Sequence, residues 1–214
     1  LHESFSQKFP DHHPCAISGP TFAKEIVEKK PAAIVVASKD KITRDFWAKT
    51  IQTHNLRAYT NSDIIGVQVG GSVKNILAIA AGIASGLGFG ANTQAALITR
   101  GLAEMTRLGI VLGAEKVTFQ GLSGIGDLVL TCSDDLSRNR RFGKELANNI
   151  ASDKALKNIN ATVEGFKALK LVIMIANNHQ IEMPICEQVL AVTEGRVTPR
   201  EAVTELLLRK PSEE

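Results

Sequence analysis

One apolar segment with a single charged side chain constrains the fold of this sequence most strongly. Between residues 70 and 83 the chain consists mainly of glycine, alanine and isoleucine, and Lys74 is its one charged residue. On a helical wheel of 100° per residue the isoleucines fall together, whereas Lys74 faces the opposite side above a row of small residues. A helix that is apolar all round is typical of a protein interior, and an ammonium there needs a partner or a wet cleft because an isolated buried charge is costly. We therefore interpret Lys74 as facing a ligand site.

The composition limits the class of protein. The chain has 214 residues, of which 44% are hydrophobic and 22% charged, and this balance is ordinary for a globular protein. A net charge of +3 is too mild to indicate a nucleic-acid partner or an acidic membrane surface. No apolar run approaches the roughly 18 residues of a membrane span, and we recognise no secretory signal. We expect a protein with no nucleic-acid partner and no membrane span.

The cysteines and histidines indicate neither a disulfide framework nor a metal site. Cys15, Cys132 and Cys186 are an odd number of widely spaced residues without a Cys-x-x-Cys pair, and the five histidines show no ligand spacing. This usage favours a reducing compartment, so we predict a cytoplasmic protein that binds no metal.

Two kinds of pattern divide the chain. Short β-branched and apolar runs predict strands at residues 15–18, 32–37 and 56–60, and helical patterns at 22–29 and 43–54 lie between them. This βαβαβ order suits part of an α/β sheet. From about residue 62 the strands give way to helical patterns at 64–86, 92–112, 141–151, 163–177, 185–193 and 199–208. We therefore predict an α/β domain at residues 1–62 and an all-α domain at residues 63–214.

Several helix starts are predicted from capping residues. Thr21, Thr43 and Asn92 each precede a helical pattern and are expected to act as N-caps. Thr198 is followed by a proline and then by Glu201, which is the full pattern of a capping box.

Three further segments carry residues typical of binding. Residues 18–23 (Ser-Gly-Pro-Thr-Phe-Ala) lie at the carboxyl end of a predicted strand, where open α/β sheets place ligands, although an ordinary strand–turn–helix connection also explains them. Residues 121–131 hold three glycines that let a backbone approach a neighbour closely, and Asp127 in this segment could simply cap a helix. Residues 137–141 hold three arginines, which either form a solvated face or bind phosphate through guanidinium groups. Together with Lys74, these segments describe a site for a small phosphorylated anion.

The motifs also occur in an order that resembles a known family. These motifs are residues 18–23, 71–75, 86–93, 124–132 and 137–139, followed by 163–165 and 182–184. From about residue 14 onward the sequence resembles the bacterial NAD(P)-dependent glycerol-3-phosphate dehydrogenases. The resemblance implies that residues 1–62 are the remnant of a Rossmann-like dinucleotide-binding domain. It also implies that residues 63–214 form a helical domain similar to that of 6-phosphogluconate dehydrogenase. The Gly-x-Gly-x-x-Gly segment with which that family opens is not in this sequence.

The resemblance implies a reaction and a set of site residues. Lys74 would be the general base that accepts the proton of the C2 hydroxyl of glycerol 3-phosphate while a hydride leaves for NAD or NADP, and Asp127 would act with it in catalysis. The implied substrate-binding residues are Gly19, Thr21, Lys74, Asn75, Asp127, Thr131, Ser137, Arg138 and Asn139. The implied cofactor-binding residues are Ala23, Arg138 and Glu164. On the sequence alone, a surface acid at the start of a helix explains Glu164 equally well.

Two other functions stay open at this point. A dehydrogenase of β-hydroxyacids also combines a Rossmann domain with a helical domain and an active lysine. A helical fragment without catalytic activity could instead serve dimerisation, and an exposed sheet edge would favour a homodimer. The dehydrogenase reading implies that the product feeds glycerophospholipid synthesis.

Overall fold

The computed structural model describes residues 2–208, so the parts of the predictions that concern Leu1 and residues 209–214 lie outside the described residues. The chain forms two compact units. Among the described residues, the first unit combines residues 2–74 with Met105–Leu130, and the second combines Asn75–Glu104 with residues 131–208. These units are defined by contacts in the folded chain, and the predicted domain boundary at residues 62 and 63 stays a prediction.

The order of elements follows the predicted change from strands to helices. The elements are α1 (His2–Lys8), β1 (Ala16–Ser18), α2 (Ala23–Val27), β2 (Ala32–Ala37), α3 (Lys41–Ile51), β3 (Leu56–Asn61), α4 (Ile64–Gly86), α5 (Ala91–Val111), α6 (Asp127–Ser133), α7 (Arg138–Ala147), α8 (Ser152–Ile159), α9 (Glu164–Asn178), α10 (Pro184–Thr193) and α11 (Pro199–Leu208). A 3₁₀ helix (Lys116–Gln120) and a π-helical segment (Leu122–Gly126) connect α5 to α6.

The three strands form one mixed sheet in the order β1-β2-β3. Strand β2 is parallel to β3, as a crossover through α3 requires, but β1 is antiparallel to β2. Helix α2 has five residues and therefore extends only about 7.5 Å, which is too short to return the chain along a strand. The sheet is thus narrower and less regular than a repeated parallel βαβ unit.

One face of the sheet supplies a small core in the first unit. Val35 and Ala37 of β2 pack with Ile64 and Val67 at the start of α4. The alternation of β2 places Val35 and Ala37 on the same face, which explains why these two residues meet the helix together. This packing fixes the first turns of α4, the helix that carries Lys74, against the sheet.

Helix α4 confirms the prediction from the apolar segment, with the predicted bounds 64–86. Asp63 caps its first turn, because one carboxylate oxygen accepts the backbone N–H of Gly66 at 2.7 Å. The helix is long and apolar enough to cross a membrane by length and composition, but 67% of its most hydrophobic window is buried inside the protein. A core helix of a folded protein has the same composition.

Three of the predicted N-caps are wrong. Phe22 precedes α2, and the Thr21 hydroxyl instead donates to the carbonyl of Gly19 at 3.2 Å. Helix α3 begins two residues before Thr43 and is capped by Asp40, whose carboxylate accepts the Thr43 N–H at 2.6 Å. Helix α5 begins at Ala91, so Asn92 lies inside it.

The helices near the carboxyl end agree with the predictions in kind and differ in their bounds. The capping box before α11 is confirmed, because the Thr198 hydroxyl accepts the Glu201 N–H and the Glu201 carboxylate accepts the Thr198 N–H. Helix α7 begins at Arg138 rather than residue 141, because Ser137 provides an earlier cap. Helix α8 was not predicted, and the left-handed backbone at Asn149 (φ 57°) separates it from α7.

The start of α7 is held by close backbone packing in the second unit. A Cβ added at Gly82 of α4 would lie 2.0 Å from the Arg140 carbonyl oxygen, and one at Gly143 of α7 would lie 2.1 Å from that of Ile79. Such distances are possible only where both helices lack a side chain at the contact. The amino end of α7, with Ser137, Arg138 and Asn139, is thereby positioned next to this part of α4.

Candidate active site

Lys74 and Asp127 form an ion pair in the first unit. The Nζ atom of Lys74 donates to Oδ2 of Asp127. The lysine side chain is 18% exposed and that of Asp127 is 2% exposed. The helical wheel predicted a partner or a cleft for this amine, and the partner is a buried carboxylate. Because buried charges are stable only when they are paired and hydrogen-bonded, the pair fixes where the amine lies.

The same carboxylate oxygen accepts two more hydrogen bonds from the end of β1. The hydroxyl of Ser18 and the backbone N–H of Gly19 each donate to Oδ2 of Asp127 at 3.2 Å. Three donors therefore converge on one oxygen, and hydrogen bonds to an ionised acceptor are stronger than neutral ones. Asp127 is the first residue of α6, where a carboxylate also interacts favourably with the helix dipole. Asp127 therefore fixes the position of the Lys74 amine in addition to beginning a helix.

Two glycines allow these segments to come together. Gly19 has φ +152°, and a Cβ there would lie 3.1 Å from the carbonyl oxygen of Ala33 in β2. A Cβ at Gly70 would lie 2.4 Å from the carbonyl oxygen of Ser123. Both positions therefore favour glycine because of the backbone that each one approaches, which explains Gly19 and Gly70.

A second group of predicted residues forms a hydrogen-bonded chain in the second unit. The backbone N–H of Gly165 donates to Oδ1 of Asn139 at 2.9 Å, and Nδ2 of Asn139 donates to Oδ1 of Asn75 at 2.8 Å. Nδ2 of Asn75 then donates to Oε2 of Glu164 at 3.3 Å. The other oxygen of Glu164 lies 3.7 Å from Nη2 of Arg138.

Burial separates the members of this chain into inner and outer residues. Asn75 and Asn139 are 7% and 5% exposed, whereas the side chains of Arg138 and Glu164 are 43% and 59% exposed. A Cβ at Gly165 would lie 2.5 Å from the carbonyl oxygen of Asn75, so this contact also requires glycine. The buried Asn75, itself held by Asn139, can therefore orient Glu164, and Glu164 in turn lies beside Arg138.

The remaining predicted residues occupy different environments. Ser137 is 4% exposed and caps α7, because its hydroxyl oxygen accepts the Arg140 N–H at 3.2 Å. Thr131 is buried in α6, at 6% exposure. Thr21 contacts Gly19 as described, and Ala23 is the first residue of α2. Of the three arginines in residues 137–141, Arg140 is buried in an ion pair with Asp135, so it serves the fold.

Ser18 and Gly165 are the members of these two groups that were not among the predicted site residues. The available signals were the predicted binding segment at residues 18–23 for Ser18 and the motif at residues 163–165 for Gly165. Gly165 takes part through its backbone N–H, a role that the motif does not state. Among residues 2–208, no three His, Cys, Asp or Glu side chains come together as metal ligands would.

The comparisons with known proteins agree on one family. A family model described as NAD-dependent glycerol-3-phosphate dehydrogenase C-terminus matches residues 63–204, and the corresponding N-terminus model matches residues 1–43. A glycerol-3-phosphate dehydrogenase [NAD(P)+] of Ruthia magnifica is 65% identical over 214 residues, which is the whole of this chain and 66% of the relative. One from Legionella pneumophila strain Lens is 50% identical over 218 residues, again covering 66% of the relative.

A solved structure gives the same result for the fold. The crystal structure of glycerol-3-phosphate dehydrogenase from Coxiella burnetii matches with a TM-score of 0.95 at 43% identity, covering 97% of this chain and 64% of that one. The predicted order, a small α/β remnant followed by helices, is thereby confirmed. The chain spans a little under two thirds of the length of the relatives that it matches. It belongs to the NAD-dependent glycerol-3-phosphate dehydrogenase family.

Proposed function

We propose that the protein interconverts sn-glycerol 3-phosphate and dihydroxyacetone phosphate by hydride transfer with NAD or NADP. The observation that carries this proposal is the ion pair of Lys74 with the buried Asp127, which is itself held by Ser18 and Gly19. An amine on a buried helix, directed by a fixed carboxylate, is suited to proton transfer. The relatives named above carry the same activity in their names.

In this proposal the first unit supplies the general base. The Nζ atom of Lys74, in its neutral form, accepts the proton of the C2 hydroxyl as the C2 hydride leaves, and in reverse it returns that proton to the forming alkoxide. A general base must lie within hydrogen-bond reach of the proton it abstracts. Asp127 restricts the positions that the amine can take, so it acts as a positioning residue as well as a substrate contact. Gly19 and Thr21 are proposed to contact the substrate beside it.

Arg138 is proposed to bind the phosphate group. Arg138 presents a guanidinium that is 43% exposed, and this group matches phosphate oxygens in a bidentate manner. Ser137 and Asn139 flank it at the amino end of α7, where backbone N–H groups favour anions. Asn75 and Thr131 complete the proposed substrate residues.

A nicotinamide dinucleotide fits the residues that the family pattern assigns to it. Arg138 offers a charge for a cofactor phosphate, and the 59% exposed carboxylate of Glu164 can accept hydrogen bonds from ribose hydroxyls. Ala23 has a side chain of one carbon atom and leaves room for a ligand. When bound, this cofactor supplies the hydride acceptor.

The test is turnover by the natural protein that carries this sequence. Reduction of NAD or NADP is measured with glycerol 3-phosphate and compared with turnover of 3-hydroxyacids. Lys74→Ala is expected to lower kcat by about 10²- to 10⁴-fold, the usual contribution of a general acid or base, while the substrate still binds. Arg138→Ala is expected to raise KM, since it removes a contact already present in the ground state.

Three outcomes would reject the proposal. Equal use of substrates with and without a phosphate ester would favour a β-hydroxyacid dehydrogenase. Unchanged turnover in Lys74→Ala would show that Lys74 is not the general base. A folded protein without any turnover that still associates would favour a dimerisation fragment.

We also propose a homodimer in the cytoplasm whose product feeds glycerophospholipid synthesis. Strands β1 and β3 are the edges of the sheet in the first unit, and unpaired strand edges favour association. Light scattering coupled to size-exclusion chromatography measures the mass in solution, and a monomeric mass at all concentrations would refute the dimer.

A further inference from the structure

We propose that Glu164 is an internal competitor for phosphate: its carboxylate forms an ion pair with the guanidinium of Arg138, and a bound phosphate takes its place. This inference rests on the proposed role of Arg138 in phosphate binding. It assigns Glu164 a function in phosphate binding, in addition to its expected contact with the cofactor.

The first argument is the position of the two carboxylate oxygens. Oε1 of Glu164 lies 3.7 Å from Nη2 of Arg138, and Oε2 accepts the hydrogen bond of Asn75 at 3.3 Å. A carboxylate and a phosphate bind guanidinium through the same N–H groups. At 3.7 Å the carboxylate pairs with the guanidinium without a hydrogen bond, so a phosphate that binds these N–H groups competes with it for the positive charge of Arg138.

The second argument is that buried residues keep Glu164 in place. Asn75 is itself held by Asn139, and Asn139 by the N–H of Gly165. Both asparagines are buried, so the support is part of the folded unit rather than a chance contact between exposed side chains. Glu164 also begins the 15-residue helix α9, and a carboxylate in the first turn is favoured by the helix dipole.

The third argument concerns charge. Arg138 and Glu164 together have no net charge, so the carboxylate weakens the attraction of the guanidinium for an incoming anion. A phosphate monoester carries about −1.5 to −2 charges at pH 7 and therefore interacts with the guanidinium more strongly than the single charge of the carboxylate does. Phosphate binding then releases Oε1, while the hydrogen bond from Asn75 can retain Oε2 nearby.

The size of the effect follows from exposure. Both side chains are about half exposed, so water screens the ion pair. Its removal should therefore change the dissociation constant of phosphate by at most about fivefold. We expect Glu164→Gln to tighten phosphate binding about two- to fivefold.

The experiment measures the dissociation constant of inorganic phosphate for this chain by NMR titration. Glu164→Gln is compared with Asp153→Asn, which removes the same charge from the first turn of α8 in the same unit. Glu164→Asp keeps the charge but withdraws the carboxylate by one methylene group. Competition predicts tighter binding for Glu164→Gln and Glu164→Asp and an unchanged constant for Asp153→Asn.

Each other result has a defined meaning. If Glu164→Gln binds phosphate no more tightly than the unchanged chain, or shows no binding at the highest concentration used, the competition is refuted. If Asp153→Asn tightens binding equally, the effect is one of net charge and the inference also fails. If Arg138→Ala leaves phosphate binding unchanged, the proposed phosphate site itself is wrong, which separates that failure from the failure of the competition.

Discussion

Removal of the Asp127 carboxylate is expected to destabilise the first unit strongly. Asp127→Ala leaves the ammonium of Lys74, the hydroxyl of Ser18 and the N–H of Gly19 without this acceptor. Breaking a buried ion pair by removing one partner costs about 3–5 kcal/mol. Because the lysine side chain keeps 18% of its surface exposed and can turn toward water, we expect a value near the lower end, about 3 kcal/mol.

The single tryptophan allows the loss of stability in Asp127→Ala to be measured in the first unit. Trp47 is the one tryptophan of the chain and belongs to the first unit, so its fluorescence during urea unfolding reports that unit. With a urea dependence of about 2 kcal/mol/M, a loss of 3 kcal/mol lowers the midpoint by about 1.5 M. Asp45→Ala is the control, because its ion pair with Lys41 is exposed and should contribute less than about 0.5 kcal/mol.

A double-mutant cycle tests the reason for the loss. Lys74→Met removes the charge that Asp127 compensates, so the combination with Asp127→Ala should cost less than the sum of the two single changes by at least about 1 kcal/mol. Energies that add within about 0.3 kcal/mol would show that the two groups do not stabilise each other. The pairing argument for the base would then be refuted.

Three further predictions concern a cap, a thiol and a titrating carboxylate. Ser137→Ala should destabilise the second unit by about 1 kcal/mol, since it removes the N-cap of α7, and circular dichroism during urea unfolding measures this loss; an unchanged midpoint would contradict the cap. Burial raises the pKa of the Cys186 thiol well above its usual value, and the nearby carboxylate of Glu104 adds to the shift. A thiol reagent should therefore modify Cys15 first and Cys186 only after unfolding. Modification of both thiols at similar rates in the folded protein would contradict this prediction. Hydrogen bonds from Thr43 hold the pKa of Asp40 below its usual value, so its stabilising contribution is present above about pH 4 and is lost as the pH falls through the lower pKa of the folded state. The difference in urea midpoint between the unchanged chain and Asp40→Ala should therefore shrink in acid, and a difference independent of pH would exclude this role.

Local patterns predicted the parts of the fold that local energetics determine. The bounds of α4 follow from a long apolar run, and the start of α11 follows from the reciprocal hydrogen bonds of Thr198 and Glu201. The cap of α3 was misassigned because Asp40 and Thr43 both suit a helix start, and only the backbone geometry decides between them. The direction of β1 depends on how far α2 carries the chain, which no strand pattern contains.

The roles of the candidate site residues stay predictions, and the sequence indicated only part of the contacts that join them. The family resemblance implied that Asp127 acts together with Lys74. The convergence of Ser18 and Gly19 on the same oxygen, however, depends on a contact across 108 or more residues of sequence. The link from Gly165 to Asn139 likewise joins a backbone group to a side chain 26 residues away. Such contacts depend on tertiary packing and leave no periodic signal.

Gly165 has no side chain, yet its close contact with Asn75 restricts which residues can stand at this position. Any added carbon would collide with the carbonyl of Asn75 and so push apart the two asparagines that steady Glu164. A chimera between homologues that brings a larger residue to position 165 would lose this support while every charged group is retained. Recombination libraries built on this scaffold should therefore inherit the segments around 75, 139 and 165 as one block.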